Sequence, residues 1–566
     1  MNNITFLFPY SKRFLYPFLT IWMIAFYSNI TVASVYDFEE NTSYIHLDKS
    51  FYVTGEVIWY KLYLGKAFQE KEVTISCLIA NQKGKVIGNM FYQNNGQMHV
   101  NGYYKIPFDA DAGMYTLQFS GVDKSMDQAT IISEVTIPVY NDLIGMAPPT
   151  PSDSNSVEMP IEETASPLAN DLKVTISLPK NKFQQREAVA GSISVTNAAG
   201  QPVAGNLSIA VIDKELVDGG VVQKTNLAGS GEYKKDLYLT GTISSLEGGS
   251  VENVVIGGFS ATDAQIYYAK VKEGGKFRMR LPAFKGDKII QFLGDTKTIE
   301  NIGVTLNQSI TPNSAELPIN NTVANYVALS KQRKKIFQHY AALESNIEVT
   351  PTKAKVVRQK ANQSWNIKEY EYFEYMYIFF KENLSPLRFE FKSDSTYAAK
   401  MYNPANQTSD KFFGGKPLFI IDNIATRDGN YVARMAMEDV AQVELFYRLK
   451  DLNKNYKIFG SNGVAKITTY DKLNKLPVKE SKNNFTIQGV QEVAAFPLFN
   501  PSDIKNSRQP FFRPQVYWNP DTSTDGRGKA NFNYFQTDDR STFQIQVVFQ
   551  GENGEMGYAT KLYTVE

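Results

Sequence analysis

One cysteine and three histidines are all that 566 residues offer for thiol or metal chemistry. Cys77 has no partner for an internal disulfide, so the chain is not a scaffold held together by cross-links. It lies in the alternating run Val73-Thr74-Ile75-Ser76-Cys77-Leu78-Ile79, which marks it as a small buried hydrophobe. His46, His99 and His339 stand 53 and 240 residues apart, and no His-Glu-x-x-His spacing exists, so no metal centre is expected. Gly-x-Gly-x-x-Gly, Walker and Gly-x-Ser-x-Gly loops are missing as well. The carboxylates form no recognisable acid–base pair. Charge of one sign is never concentrated and the net value is +1, which argues against nucleic-acid binding. No catalytic residue, cofactor-binding residue, metal ligand or cofactor is therefore assigned. The partner-binding surface and any small-molecule ligand stay unassigned.

Long apolar runs are scarce too. At the N-terminus, Lys12 and Arg13 precede an apolar stretch, Phe14 to Tyr27, followed by the small residues Val32-Ala33-Ser34. That order reads as a secretory signal peptide over 1–34. Its apolar core falls short of the roughly 20 residues that span a bilayer. No cysteine follows it, so a conventional lipoprotein is not expected. The expectation is an exported protein of the periplasm, outer membrane or cell surface, without a transmembrane helix.

Aromatic residues are plentiful: 33 Tyr and 36 Phe favour pleated, half-buried β surfaces. From Tyr44 the chain reads YIHLDKSFYVTGEVIWYKLYL, two strand-like parts broken at Asp48-Lys49-Ser50 and Thr54-Gly55-Glu56. Alternating runs continue to about residue 140, including Met114-Tyr115-Thr116-Leu117-Gln118-Phe119 after a turn at 109–113. Residues 141–170 are rich in Pro and Ser and read as a linker. Alternation resumes at Leu172 and again at Leu239. The period changes at 322–345, where Val323, Tyr326, Val327, Ser330 and Lys334 keep helical spacing. Leu329, Ile336, Phe337 and Tyr340 join that stripe. A second helix is expected over 370–381. The fold class expected is mainly β: several antiparallel β-sandwiches in series plus a small α+β domain.

The acid-Lys-Ser-Phe-Tyr motif at 48–52, followed by Gly55-Glu56, resembles the first macroglobulin-type domain of the α2-macroglobulin superfamily. The strand Gly113-Met114-Tyr115-Thr116-Leu117 fits the same pattern. A second macroglobulin-type sandwich is expected over 171–238. Gly274-Gly275-Lys276-Phe277, leading into Arg278-Met279-Arg280-Leu281-Pro282, is similar to the carboxypeptidase regulatory-like domain, expected over 239–300. A helical connector would follow at 301–350. Over 351–475, Pro417-Leu418-Phe419-Ile420-Ile421-Asp422, Val440 to Phe446 and Phe459-Gly460 through Thr469 resemble the plug domain of TonB-dependent receptors. Asn423 stands where that family has glycine, and Phe459 where it has tyrosine. The 96 residues after Tyr470 are too few for a transporter barrel of about 22 strands of about 9–11 residues each. Finally, Tyr517-Trp518-Asn519-Pro520, Asp525 to Ala530 and Asp538-Asp539 resemble an α2-macroglobulin segment, giving a C-terminal macroglobulin-like part over 476–566.

Two features invite a catalytic or metal reading. Asp422 ends a buried apolar run with Asp428 six residues on; it reads as a turn-setting residue. Asp521, Ser523 and Asp525-Gly526 mimic a calcium loop, but its twelfth position is Phe532 rather than glutamate, so a glycine-assisted hairpin is expected. The family's Cys-Gly-Glu-Gln thioester is impossible here, so no covalently trapped protease is a partner. The resemblances imply a non-enzymatic adaptor that contacts an outer-membrane β-barrel or its complex. Two alternatives stay open: a macroglobulin-like endopeptidase inhibitor without a thioester, using 141–170 as bait, and a carbohydrate- or peptide-binding module of nutrient uptake.

Overall fold

Some strands bury alternate side chains, as in Lys276–Leu281 and Lys529–Phe535, whereas Thr42–Leu47, Val57–Tyr63 and Gly205–Asp213 are buried along nearly their whole length, and the strands pair into sheets that cover one another. A computed structural model describes residues 42–122, 124, 129–143, 172–220, 222–226, 233–246, 248, 250–260, 265–294, 302–306, 310–340, 360–406, 411–422, 424–470, 483–503 and 509–566. Residues 1–34, where a signal peptide is expected, most of the Pro/Ser-rich stretch and Asn423 lie outside them.

The protein is mainly β, built from antiparallel β-sandwiches and one small α+β unit. The first sandwich stacks two sheets. One runs in the order Val222–Asn226, Thr42–Leu47, Val57–Tyr63, His99–Lys105. The other runs Tyr52–Val53, Ala129–Tyr140, Gly113–Val122, Thr74–Ala80, Val86–Gln93. Ile45, Tyr60, Leu62, Ile75, Cys77, Leu117 and Ile137 fill the space between them. Cys77 is buried there, and burial pushes its thiol up to about 12.

Strand pairing departs from the boundaries expected at 238, 300 and 476. Gly205–Asp213 pairs with Thr542–Gly551 on one side and Gln515–Ser523 on the other. Ala188–Asn197 pairs with Lys529–Phe535. The second sandwich is thus made jointly by the segments 172–213 and 515–566, around a core of Ile193, Ile209, Val211, Phe532, Ile545 and Val547. Everything between is inserted into it. A third sandwich begins at Leu237–Ser245 and takes in Ile302–Leu306, part of the expected connector. It is completed by Asn484–Gln488, which pairs with Asp287–Leu293. The α+β unit is nested inside that third sandwich in turn. Val222–Asn226, expected in the second sandwich, joins the first. Local pattern specifies strands, but which strands pair across three hundred residues depends on which buried faces match.

The helix Asn321–Tyr340 forms as its spacing indicates. Val323, Tyr326 and Val327 pack with Phe51, Val53, Tyr140, Ile212 and Val217, so the helix ties the first sandwich to the second. The side chains of Phe337, His339 and Tyr340 lie outside the described residues, as do residues 341–350. The second expected helix is shorter, Met376–Glu382. Tyr375 is extended and bridges Ala436, which keeps 370–375 out of the helix.

In the α+β unit the sheet order is Gln363–Asn366, Val440–Phe446, Val464–Thr469, Leu418–Ile421, Ile424–Thr426. Its last strand would be an open edge. Gln291 of the third sandwich closes it: its side chain accepts from Ala425 N (2.7 Å) and donates to Ala425 O (2.6 Å), as a neighbouring strand would. Phe459 fills the space over Gly257, where a Cβ would come within 2.8 Å of the ring. Gln291→Leu strands both buried backbone groups and is expected to cost about 1–3 kcal/mol for each. Hydrogen exchange at Ala425 should then rise at least tenfold; unchanged protection would mean that the contact does not hold the unit in place.

Candidate functional site

Asp422 is the first acid to place. It sits at φ 45°, the left-handed region, at the two-residue turn between Leu418–Ile421 and Ile424–Thr426, whose register pairs Ile421 with Ile424. One carboxylate oxygen accepts from Thr469 N at 2.8 Å, the other from the Thr469 hydroxyl. Both oxygens are used to pin the end of Val464–Thr469. Asp428 accepts from Tyr431 N at 2.9 Å, capping the short helix Gly429–Ala433. Asp422→Ala is expected to lower stability by about 1–2 kcal/mol, and Asp422→Asn by less, read from denaturant midpoints. A loss below 0.3 kcal/mol, roughly the scatter of a surface substitution, would show that these bonds contribute nothing.

The motif at 48–56 builds a buried polar knot. Asp48 accepts from the Tyr52 hydroxyl (2.5 Å) and from Trp59 N (2.8 Å). Burial pushes its carboxyl up to about 7. Glu56 takes Lys49 Nζ at 2.7 Å and Val53 N at 3.0 Å, and its other oxygen takes the hydroxyl of Tyr326 on the helix. Burial pushes Glu56 up, but the Lys49 ammonium and the hydrogen bonds outweigh it and hold the carboxyl below its ordinary value. The motif that carries the family resemblance is therefore the clamp between the first sandwich and the helix.

Beside this knot is a cleft of about 210 Å³, bounded by the first sandwich, the helix and the chain at 496–515. Cations line it in excess: Lys49, Lys105, Arg333, Lys334 and Arg513. Three are compensated. Lys49 pairs with Glu56, Lys334 with Asp142 at 2.8 Å, and Arg333 with Asp539. Among the described residues, Lys105 and Arg513 have no carboxylate within ion-pair distance. Arg513 donates to Pro497 O at 2.6 Å and lies against Phe511, 4.9 Å from the ring centre; burial lowers it to about 10. The apolar lining is Trp59, Phe108, Phe496 and Phe512. Of the cleft residues, the sequence pattern points to the 48–56 motif, to Trp59 in the strand after it, and to Tyr326, Ser330 and Lys334 in the helical stripe. Arg333, Arg513 and Phe108 carry no periodic or motif signal.

The two other histidine and acid candidates meet elsewhere. The faces of the first and second sandwiches join through His46, whose Nδ1 is 2.6 Å from Ser208 Oγ, and through Tyr63, which bonds Ser208 and Val548 O. His99 lies 3.5 Å from Asp521. Asp521, once a calcium-loop candidate, is thus committed to this interface together with Asn206 at 2.6 Å. Asp525 accepts from Arg527 N and Lys529 N and shapes the hairpin expected there.

A third feature is a groove of about 840 Å³ where three sheet edges converge: Val86–Gln93, Ile302–Leu306 and Asn484–Gln488. The chain closes part of these edges with its own groups. Asn483 takes Val304 N (3.3 Å) and Ile302 O (2.8 Å), and Gln491 N takes Phe91 O (2.7 Å). Alternation along a strand puts the next outward backbone pairs at Leu306 and Asn89. Both residues line the groove.

No protein-family model and no curated protein matches the chain. Among solved structures, Escherichia coli alpha-2-macroglobulin activated by porcine elastase is similar at TM-score 0.24 and 8% identity, over 92% of this chain and 43% of that one. The native conformation of the E. coli protein gives 0.23 and 9%, over 93% and 40%. A Salmonella alpha-2-macroglobulin mutant gives 0.23 and 8%, again over 93% and 40%. The chain spans less than half the length of these proteins, and at such TM-scores the likeness carries no argument about arrangement or activity. Among the described residues, no helix is long and apolar enough to cross a membrane.

Proposed function

We propose that this protein is an exported, non-enzymatic adaptor of the Gram-negative periplasm or outer membrane. In this reading its sandwiches are macroglobulin-type and carboxypeptidase regulatory-like, and its α+β unit is a TonB-receptor plug-like domain kept without a barrel. It works by taking an extended segment of an outer-membrane protein as an added strand. The observation that carries this is the groove where three sheet edges meet, with outward backbone groups of Leu306 and Asn89 lining it. Exposed strand edges are the standard acceptor for strand addition, and flanking side-chain pockets supply selectivity. The Ile424–Thr426 edge of the α+β unit, by contrast, is met at Ala425 by the side chain of Gln291.

The experiment places a photo-crosslinking residue at Thr486, exposed in the groove, and at Lys173, exposed on the second sandwich. A discrete envelope-protein adduct is expected at 486 and not at 173. Leu306→Pro removes one outward N–H without touching an inner ladder bond, and it should abolish the adduct; because Leu306 also packs against the third sandwich's core, the melting midpoint should fall slightly while unfolding stays cooperative. Equal labelling at both positions, or an adduct indifferent to Leu306→Pro, would rule out strand addition at this groove.

A further inference from the structure

The cleft beside the helix has a lining that no part of the adaptor reading uses. Its charges are unbalanced and its walls are aromatic. Lys105 and Lys334 both hold their ammonium groups 5.6 Å from the centre of the Phe108 ring, from opposite elements of the cleft. Phe108 is itself 46% exposed, an unusual position for so large an apolar ring. Across the opening, the Arg513 guanidinium stands between Phe511 and Phe496, 4.9 and 5.9 Å from their ring centres. Stacking of this kind leaves the edge of the guanidinium to donate hydrogen bonds. One of its terminal nitrogens is taken by Pro497 O. Deeper in, Arg333 is only 9% exposed, lies over Phe512 at 5.3 Å, and keeps one terminal nitrogen buried without a hydrogen-bond partner. A buried donor left unpaired costs about 1–3 kcal/mol, so the fold maintains this cation at a penalty.

Three properties narrow the ligand. First, two cations without a carboxylate partner attract an anion, and a carboxylate accepts a forked donor pair well. Second, seven of the seventeen lining residues are aromatic or proline, which suits an apolar body and would leave a heavily hydrated phosphate badly solvated. Third, about 210 Å³ lies below the roughly 300–1,000 Å³ that hold a drug-sized molecule, so the cleft takes an end group rather than a whole cofactor. We propose that this cleft is a binding site for a carboxylate carried on a ring-sized apolar group. The sources of that chemistry are a peptide C-terminus with an aromatic last residue and a free aromatic acid. The anion lies between Arg513 and Lys105, and the apolar part lies against Phe108, Phe496 and Phe512.

The test is calorimetric titration of the full chain with five probes: 3-phenylpropionate, 3-phenylpropanamide, inorganic phosphate, and a hexapeptide ending in phenylalanine with either a free or an amidated C-terminus. The acid is expected to bind at least tenfold more tightly than the neutral amide, and phosphate should neither bind comparably nor compete. If the free-terminus peptide binds better than 3-phenylpropionate, the source is a protein C-terminus; the reverse order points to a small acid. Lys105→Gln, at an exposed residue with no ion pair among the described residues, should weaken the acid about tenfold, the loss of one charge-assisted bond. Arg513→Gln should weaken it further; should that variant fail to fold, the Lys105→Gln result decides. Equal binding of acid and amide, phosphate binding as tightly as the acid, or no binding of any probe at millimolar concentration overturns the proposal. Leu306→Pro should leave all these affinities unchanged, which separates failure here from failure of strand addition at the groove.

Discussion

Glu56→Ala is expected to lower the thermal midpoint of the first sandwich by about 12 °C or more, from a loss of about 3–5 kcal/mol. The carboxylate receives Lys49 Nζ, Val53 N and the Tyr326 hydroxyl at once. Lys49 has a side chain only 4% exposed, so removing Glu56 leaves an ammonium buried without its counter-charge. Breaking one half of a buried pair costs far more than the net value of the pair, because the desolvation of the survivor is no longer offset. Glu56→Gln keeps the volume and one acceptor and should cost less. Lys49→Met combined with Glu56→Leu removes both charges and should recover a substantial part of the loss. Hydrogen exchange at helix amides 323–334 is the second readout, since the Tyr326 hydroxyl loses its carboxylate partner while its apolar packing remains. A Glu56→Ala protein that melts within 2 °C of the native one would show that the knot at 48–56 is not what clamps the helix.

Acidification should separate the first and second sandwiches through His46. Its ring is fully buried between them, 5.0 Å from the Trp518 ring, and burial holds its imidazole down to about 3 against an ordinary 6.5; Gln546 raises it and Lys61 lowers it further. A base whose folded value is depressed binds fewer protons folded than unfolded throughout that interval. Stability from His46 is therefore complete above about pH 6.5 and is lost as pH falls towards 3. At pH 4.5 the loss is about 3 kcal/mol. Two buried acids oppose it. Asp48 is pushed up to about 7 and Asp213 to about 6 by burial, so their contributions are present at low pH and lost as pH rises. Around the ring, Lys61 is held well below its ordinary value by burial, and Asp521 is held below its own chiefly by the His99 imidazole 3.5 Å away. Comparing His46→Asn with the native protein cancels these neighbours. The variant should be less stable at pH 7, because it loses the Ser208 and Trp518 contacts, and the gap should close by about 2–3 kcal/mol between pH 7 and 4.5. A gap independent of pH, measured from urea midpoints, would mean that the ring is not held neutral in the fold.

The strands were readable where the pattern is local. Val57 to Tyr63, rich in aromatic and branched residues, forms the strand its composition indicates, although it is buried along nearly its whole length rather than on one face. The helical stripe at Val323, Tyr326 and Val327 likewise forms a helix that is buried on that side. Asp422 was readable because a turn acid at the tip of an apolar run has a local partner set. The helix expected over 370–381 was cut short by a tertiary contact, the bridge from Tyr375 to Ala436, which no local signal announces. The domain boundaries failed for a related reason. Leu207, Ile209 and Val211 look like the closing strand of a local sandwich, but their partners are Phe549, Val547 and Ile545. Nothing in either segment names the other.

By itself, the order of residues determined where most strands lie, that Cys77 closes no disulfide within these residues, and where the chain turns, since each depends on local pattern or on one residue's chemistry. Only the tertiary structure decided the nesting of one sandwich inside another, the closure of the α+β edge by Gln291, and the gathering of Lys105, Arg333 and Arg513 into one aromatic cleft. Those outcomes depend on complementarity between surfaces far apart in the chain. Burial energy selects them collectively, through matched faces rather than through any short pattern.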